Sequence, residues 1–278
     1  MNYRHAFHAG NPADCMKHAL LVWLIRAMQR KAGGFLMLDT HAGIGRYDLS
    51  GEEAGRTGEW RSGIGRLREG APDPVLADYL GLVDRLGLYP GSPAIAEALL
   101  RPQDRLIACE LHPEDHARLR ANLRSDGSQV SVHLRDGYEA IGAFLPPPER
   151  RALVLVDPPF EQGDEFARLL QALRVGLRKL PAGVFALWYP IKHRGPVRAF
   201  HEAVAEAGLR DVLAAELLWR EPLAPDQLNG CGLLFVNAPW CFEEEVAPIL
   251  AALASRFGDD KPNDKPGAGF HISRITAE

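Results

Sequence analysis

Phe35-Leu36-Met37-Leu38-Asp39-Thr40-His41-Ala42-Gly43-Ile44-Gly45 is a short apolar run that ends in an acid and passes at once into a glycine turn. An unbroken run of this kind predicts a strand buried on both faces, as in the middle of a parallel sheet. The same design recurs along the chain. Arg105-Leu106-Ile107-Ala108-Cys109-Glu110 repeats it, Val130–Leu134 ends just before Asp136, Ala152–Val156 runs into Asp157, and a further apolar run occupies 184–189. Between these runs, residues 113–123, 164–180 and 194–207 place apolar side chains at helical spacing, as Phe166, Leu169, Leu170, Leu173 and Leu177 illustrate. Strands alternating with helices predict a doubly wound α/β fold with a mostly parallel sheet.

Working outward, Asn11-Pro12-Ala13-Asp14 has the chemistry of a helix start: a good cap, proline in the first helical position and an acid in the first turn. That helix runs to about Met28, with Gly33-Gly34 to stop it. Seventy residues separate Asp39 from Glu110, far more than one crossover helix needs. Within them 58–68 and 74–86 look helical, so 50–88 reads as a small helical insertion between the first and second core strands of a single domain covering 1–278. The last third changes character. There, 212–219, 231–237 and Gly269–Thr276 read as strands with one clear helix at about 243–257, which fits a hairpin-like edge with an antiparallel strand. Residues 258–269, rich in Gly, Pro, Asp and Lys, read as a surface loop.

Length and composition narrow the function classes. With 278 residues and 46% hydrophobic content, the chain can bury a sizeable core. Its longest apolar run, 19–25, is seven residues, too short to span a bilayer, and no signal-peptide stretch opens it. Four cysteines without a C-x-x-C pair do not make a disulfide scaffold. A cytoplasmic protein without membrane association is the expectation. A net charge of −4 argues against coating nucleic acid by bulk electrostatics, yet leaves room for local basic patches. Two are visible: Arg4, Lys17, Arg26, Arg30 and Lys31 against the lone Asp14, and the cluster Lys192, His193, Arg194 and Arg198. Scattered, solvated charge is the other reading of both.

In an open α/β sheet, ligands bind at the carboxyl ends of the strands, near the switch in strand order. Four strands here deliver Asp39, Glu110, Asp136 and Asp157 to that edge. One acid after a strand is commonly a helix cap; four in series beside a glycine turn point to a ligand site. Gly43 and Gly45 let the backbone approach that ligand closely. A dinucleotide fingerprint would need a third glycine at position 48, which is Asp48, and an acid nearer than Glu110. Asp-x-x-x-Gly-x-Gly after a strand is instead the pattern of S-adenosylmethionine-dependent methyltransferases. Ser92-Pro93 opens another helix, whose free N–H groups suit a carboxylate or simply a cap.

Asp157-Pro158-Pro159-Phe160 is the sharpest signal. Consecutive prolines fix φ and remove donors, so the carbonyls there cannot enter a regular ladder. The Asp157 carboxylate and the Pro158 carbonyl can then converge on one exocyclic amino group. Two acceptors favour a pyramidal nitrogen whose lone pair points at a methyl sulfonium, and they stabilise the positive charge that develops during transfer. Phe160 offers a stacking face worth about 1–3 kcal/mol to a base. Asp157 accepts the proton after transfer, when the nitrogen is cationic and acidic. The plain alternative is a Pro-Pro turn that ends a strand.

Together these motifs make the chain closely resemble the bacterial 23S ribosomal RNA adenine-N6 methyltransferases, over nearly its whole length. The landmarks are Tyr3-Arg4-His5-Ala6-Phe7-His8-Ala9-Gly10-Asn11 with Asp14, Lys17 and His18; Leu38-Asp39-Thr40-His41-Ala42-Gly43; Tyr89-Pro90-Gly91-Ser92-Pro93; Glu110-Leu111-His112-Pro113; Asp136-Gly137; and Asp157-Pro158-Pro159. The resemblance implies a class I methyltransferase fold, S-adenosylmethionine as methyl donor with no metal, and monomeric action on one adenosine of 23S rRNA, protein-free or early in assembly. It implies Lys17, His18, His41 and Ser92 at the methionine end of the cofactor, Glu110 on the ribose, and Asp136 with Gly137 on the cofactor adenine. Asp157 is the implied catalytic acceptor, and Tyr3, Pro158 and Phe160 contact the target base. Phe160 stands where tyrosine is frequent, which keeps stacking and loses a hydroxyl; Pro12 departs from the usual residue without threatening the helix start.

Two competing functions share these features: a guanine-N2 RNA methyltransferase, which also uses Asp-Pro-Pro-Phe, and a non-catalytic RNA-binding assembly factor on the same fold. Other residues read plainly. His112 and His116 are four apart without a companion ligand set, Trp188-Tyr189-Pro190 lines a base pocket or ends a buried strand, and Trp219 and Trp240 are assigned to core packing. Nothing marks Cys15 as a nucleophile.

Overall fold

The computed structural model describes residues 4–71, 73–123, 129–258 and 269–277. Leu36–Asp39 (β1) is buried at every position and lies between two parallel neighbours, Arg105–Glu110 (β2) and Ala152–Val156 (β4). Val130–Leu134 (β3) extends the sheet beyond β2, and Val184–Ile191 (β5) extends it beyond β4, again in parallel. Val212–Leu218 (β6), Gly230–Val236 (β7) and Gly269–Thr276 (β8) complete the order β3-β2-β1-β4-β5-β7-β6-β8. This is the doubly wound, mostly parallel sheet that the sequence pattern predicts. The switch in strand order falls between β1 and β4, where a ligand crevice opens.

The antiparallel element sits deeper than expected. β7 is an interior strand, antiparallel to both β5 and β6, and β8 forms a second antiparallel strand at the edge against β6. β6 and β7 are buried at all seven positions each because side chains pack on both of their faces. Alternation in sequence cannot separate an interior from an edge position when both faces are covered.

Pro12–Gln29 (α1) starts as its sequence dictates, the Asn11 side chain accepting the Asp14 N–H. It is buried on almost every side, including Asp14, Lys17 and His18. Within 50–88 lie the short helices Glu52–Thr57 and Ile64–Leu67, single turns at Glu59–Arg61 and Pro74–Leu76, and Ala77–Leu86 (α2). The expected helix over 58–68 is broken at Ser62-Gly63. A Cβ on Gly63 would lie 2.0 Å from the Gly10 carbonyl oxygen, and this close approach lets Ile64 N–H donate to that same oxygen at 2.9 Å. A two-residue ribbon, Arg46–Tyr47 with Tyr89–Pro90, ties the two ends of this region together.

Other differences are local. Gly91, not Ser92, caps Ser92–Leu99 (α3), and Ser92 is its first helical residue. After Pro113–Asn122 (α4), a further helix, Gly137–Phe144 (α5), is capped by Asp136. Glu165–Lys179 (α6) and Arg194–Glu206 (α7) match the apolar spacing, and Phe242–Phe257 (α8) follows β7. Trp240 does not pack in the core: it is 88% exposed. Cys241 in the left-handed region (φ 67°) turns the chain so that Phe242 takes the core place, against Trp23 and Phe235. Of the expected loop, 259–268 lie outside the described residues. No helix among the described residues is long and apolar enough to cross a membrane.

Candidate active site

A cavity of about 910 Å³ opens at the carboxyl ends of β1, β2 and β4. Three of the four strand-end acids, Glu110, Asp136 and Asp157, line it. Glu110 is buried, and its two oxygens accept the Gly43 N–H at 3.0 Å and the His112 N–H at 2.8 Å. It thus braces the glycine turn after β1 against the turn after β2. Burial pushes its carboxyl up, partly offset by those amides. One oxygen of Asp136 accepts the Tyr138 and Glu139 N–H groups at the start of α5. Asp136 thus caps a helix and also faces the cavity.

Gly137 is where it is because nothing larger fits. A Cβ there would lie 2.3 Å from the Thr40 carbonyl oxygen and 2.7 Å from the His41 ring. His41 shares a 2.8 Å hydrogen bond with the Thr40 hydroxyl and meets the Tyr138 ring edge-on. Burial lowers it to about 4, so it is neutral near pH 7. His18 is likewise held neutral, pushed down to about 3 by burial, and pairs with the Tyr89 hydroxyl at 2.9 Å.

The fourth acid, Asp39, lies beneath Thr40, His41 and Ser92 rather than in the cavity wall. It is fully buried, and neither carboxylate oxygen has a hydrogen-bond partner. Burial pushes it up to about 7; the nearby Ser92 hydroxyl and Lys17 ammonium offset this only partly, and the Asp157 charge adds to it. The native chain therefore keeps a proton that the unfolded chain has already lost between about pH 4 and pH 7, and stability falls as pH rises across that window, by about 4 kcal/mol at most. Asp39→Asn, which cannot ionise, is expected to gain stability relative to the parent between pH 5 and pH 8. Thermal melts without cofactor check this; parallel pH curves for the two proteins would refute it.

Asp157, at the end of β4, is only partly exposed, and a buried ammonium holds it. Lys17 Nζ lies 2.5 Å from Asp157 Oδ2 and 2.9 Å from Asp14 Oδ1. The other Asp14 oxygen pairs with His5 Nε2 at 2.8 Å and accepts the Gly10 N–H at 2.9 Å. A line of charge therefore runs from the N-terminal segment through α1 to the strand end. Burial alone would neutralise these groups. Asp14 and Asp157 nevertheless hold Lys17 well above its usual range, and His5 and Lys17 hold Asp14 well below its own. The spacing of Asp14 and Lys17, three apart on a helix, was the available signal for this pairing.

Phe160 adopts φ +51°, an uncommon conformation for an aromatic residue and one that concentrates at functional sites. The turn sets its ring edge-on against Phe166 at 5.1 Å and Trp188 at 5.8 Å, and all but Phe166 line the cavity with Pro158. Trp188 and Pro190 belong to the wall, whereas Tyr189 is buried behind it. Trp219 is buried as expected and also faces the cavity. Tyr3 lies outside the described residues. Thr40 and Leu111, which lie inside the quoted motifs without a role of their own, also line the cavity, as do Tyr138 and Arg168, which no sequence signal singled out. His112 and His116 gather no third metal ligand among the described residues. Cys15 is buried and pushed up to about 12 by that burial, hence inert.

The family model described as Ribosomal RNA large subunit methyltransferase D, RlmJ, matches residues 32–265. Two proteins named Ribosomal RNA large subunit methyltransferase J are each 38% identical to this chain. The one from Haemophilus influenzae aligns over 261 residues, 91% of this chain and 92% of its own. The one from Escherichia coli aligns over 267 residues, 92% and 94%. A solved structure of a Legionella pneumophila protein superimposes with a TM-score of 0.85 at 31% identity, over 96% of this chain and 98% of that one.

Proposed function

The chain belongs to the ribosomal RNA large subunit methyltransferase J family, and on that premise we propose that it methylates the exocyclic N6 of one adenosine in 23S rRNA, using S-adenosylmethionine. The observation that carries the reading is the Asp157-Pro158-Pro159-Phe160 turn, set at the strand-order switch with its carboxylate facing the cavity and its aromatic wall beside it.

The residues present fit the methyl donor. Asp39 is a buried carboxyl without a hydrogen-bond partner behind the wall, and Lys17, His18, His41 and Ser92 border that part of the cavity. Glu110 keeps lone pairs for ribose hydroxyls after holding its two amides, and Asp136 with Gly137 borders the adenine place. Bound there, the donor supplies an electrophilic methyl group.

The rest is done by the chain. Phe160 stacks on an extruded base, and Tyr3 supplies a further contact. Asp157 and the Pro158 carbonyl accept the amine hydrogens and aim the lone pair. Lys17 fixes the carboxylate, and Asp157 takes up the proton after transfer. All these groups come from one chain, so one copy carries a complete site, in keeping with monomeric action.

The test is incubation with methyl-labelled S-adenosylmethionine and protein-free 23S rRNA, alongside assembled subunits, followed by digestion to nucleosides. N6-methyladenosine from the free RNA is expected; N2-methylguanosine, or no label, would overturn the reading. Glu110→Ala is expected to weaken cofactor binding by at least about tenfold, since it loses both the ribose contact and the brace on Gly43. Titration calorimetry returning the parent affinity would remove Glu110 from that role.

A further inference from the structure

On one side the cavity continues past the base place, between the loop after β6 and the end of β5. That lip carries two exposed cations, Lys192 and Arg220, with Asp226 as the acid beside them and Trp219 and Leu228 as apolar neighbours. Lys192 opens the basic cluster that the cofactor and base contacts leave unused; His193 and Arg198 follow it, while Arg194 is spent on Glu216.

These are not scattered surface charges. Asn229, fully buried, ties both segments into one body. Its side-chain amide donates to the Lys192 carbonyl at 2.6 Å and to the Ala224 carbonyl at 2.8 Å. Its backbone N–H donates to Ile191, and its carbonyl accepts from Trp219 and Arg220. The Trp219 indole N–H closes the same loop onto the Leu228 carbonyl. Both cations are therefore mounted on backbone that buried hydrogen bonds hold in register.

The opposite edge of the cavity is lined by Glu110 and Asp136, which repel phosphate. A nucleotide whose base sits by Phe160 must therefore lead its backbone out past the cationic lip. We propose that Lys192 and Arg220 form a phosphate clamp for the RNA strand flanking the target nucleotide. It supplies local backbone contact to a chain whose net charge is −4. The clamp rests on the RNA methyltransferase reading and names where that substrate's backbone runs.

The experiment uses the full chain saturated with S-adenosylhomocysteine and a fluorescent single-stranded RNA carrying the target adenosine, with binding read by anisotropy from 50 to 300 mM salt. Each single-strand phosphate contact contributes about 0.7 to the slope of log K against log salt. Lys192→Ala/Arg220→Ala is expected to lose at least about tenfold in RNA affinity at 0.1 M salt and about 1.4 in slope. Cofactor affinity and the single-turnover rate at saturating RNA should stay at the parent values. Lys192→Arg/Arg220→Lys should keep the slope, and Arg178→Ala, on the far end of α6, should change nothing. A double variant with the parent slope and affinity overturns the clamp, as does one that loses cofactor affinity in equal measure. Methyl transfer by the parent protein is read in parallel, so failure of the catalytic reading shows as unlabelled RNA while the salt slope still judges the clamp.

Discussion

Asp157→Ala is expected to lower the single-turnover rate of methyl transfer by about three orders of magnitude or more, with cofactor affinity within a few-fold of the parent. Two losses combine. The amine loses an oriented anionic acceptor as positive charge develops on nitrogen, which electrostatic preorganisation values at about 10²–10³ in rate. It also loses its proton acceptor, worth about 10²–10⁴ in general base catalysis. The two overlap because one carboxylate serves both, so they do not multiply in full. Cofactor affinity survives because the other acids, Glu110 and Asp136, sit on different strand ends and keep their own backbone anchors. Lys17 also keeps a carboxylate partner in Asp14, so the variant does not strand an ammonium in the core. Asp157→Asn sharpens the test: it keeps the shape and one acceptor oxygen but neither charge nor basicity. It should lie within about tenfold of the alanine variant if charge dominates. Single-turnover transfer of labelled methyl, with calorimetry for the cofactor, reads both quantities, and parent turnover in either variant would end the catalytic assignment.

What the sequence discloses and what it hides follow one physical division. β1, β2, β4 and their terminal acids are legible because a strand buried on both faces announces itself as an apolar run, and the residue that ends the run is fixed by chain order alone. The start of α1 is legible for the same reason, since the Asn11 side chain accepts the Asp14 N–H within one turn. Features that depend on what packs across space are not. The helix over 58–68 breaks because Gly63 must let the Gly10 backbone through, and nothing near 63 in sequence mentions residue 10. Trp240 looks like core by composition, and only the left-handed Cys241 turns it outward. β7 is interior because β5 and β6 pair with it on either side, which its own residues do not announce. The site divides likewise: its acids were readable, but the ammonium that organises Asp157 stands 140 positions away, on a helix whose function the sequence reading placed at the cofactor.

That ammonium gives the second large effect. Lys17→Met is expected to cost about 3–5 kcal/mol of stability near neutral pH, because it leaves Asp14 buried with only His5 opposite it. For a domain of this size the melting temperature should fall by about 6–20 °C. Methionine fills much of the same volume, so packing loss is small and the penalty is electrostatic. The sign of its pH dependence separates this from a cavity effect. In the parent, Asp14 is held well below its unfolded value, so its stabilisation is present above about pH 4 and is lost as pH falls through the folded value. Lys17, held above its unfolded value, contributes in full at every pH below about 10. Removing the ammonium lets Asp14 protonate at higher pH, so the gap between variant and parent is widest near neutrality and narrows toward pH 4. A purely steric defect would leave the gap constant. Methyl transfer should fall by about 10² or more even where the variant is fully folded, because the Asp157 carboxylate loses the contact that aims it. Melts from pH 4 to 8 and single-turnover rates at 20 °C read the two effects separately. A pH-independent gap would remove the buried charge line as the source of stability, and a parent rate in the folded variant would remove Lys17 as the residue that positions Asp157.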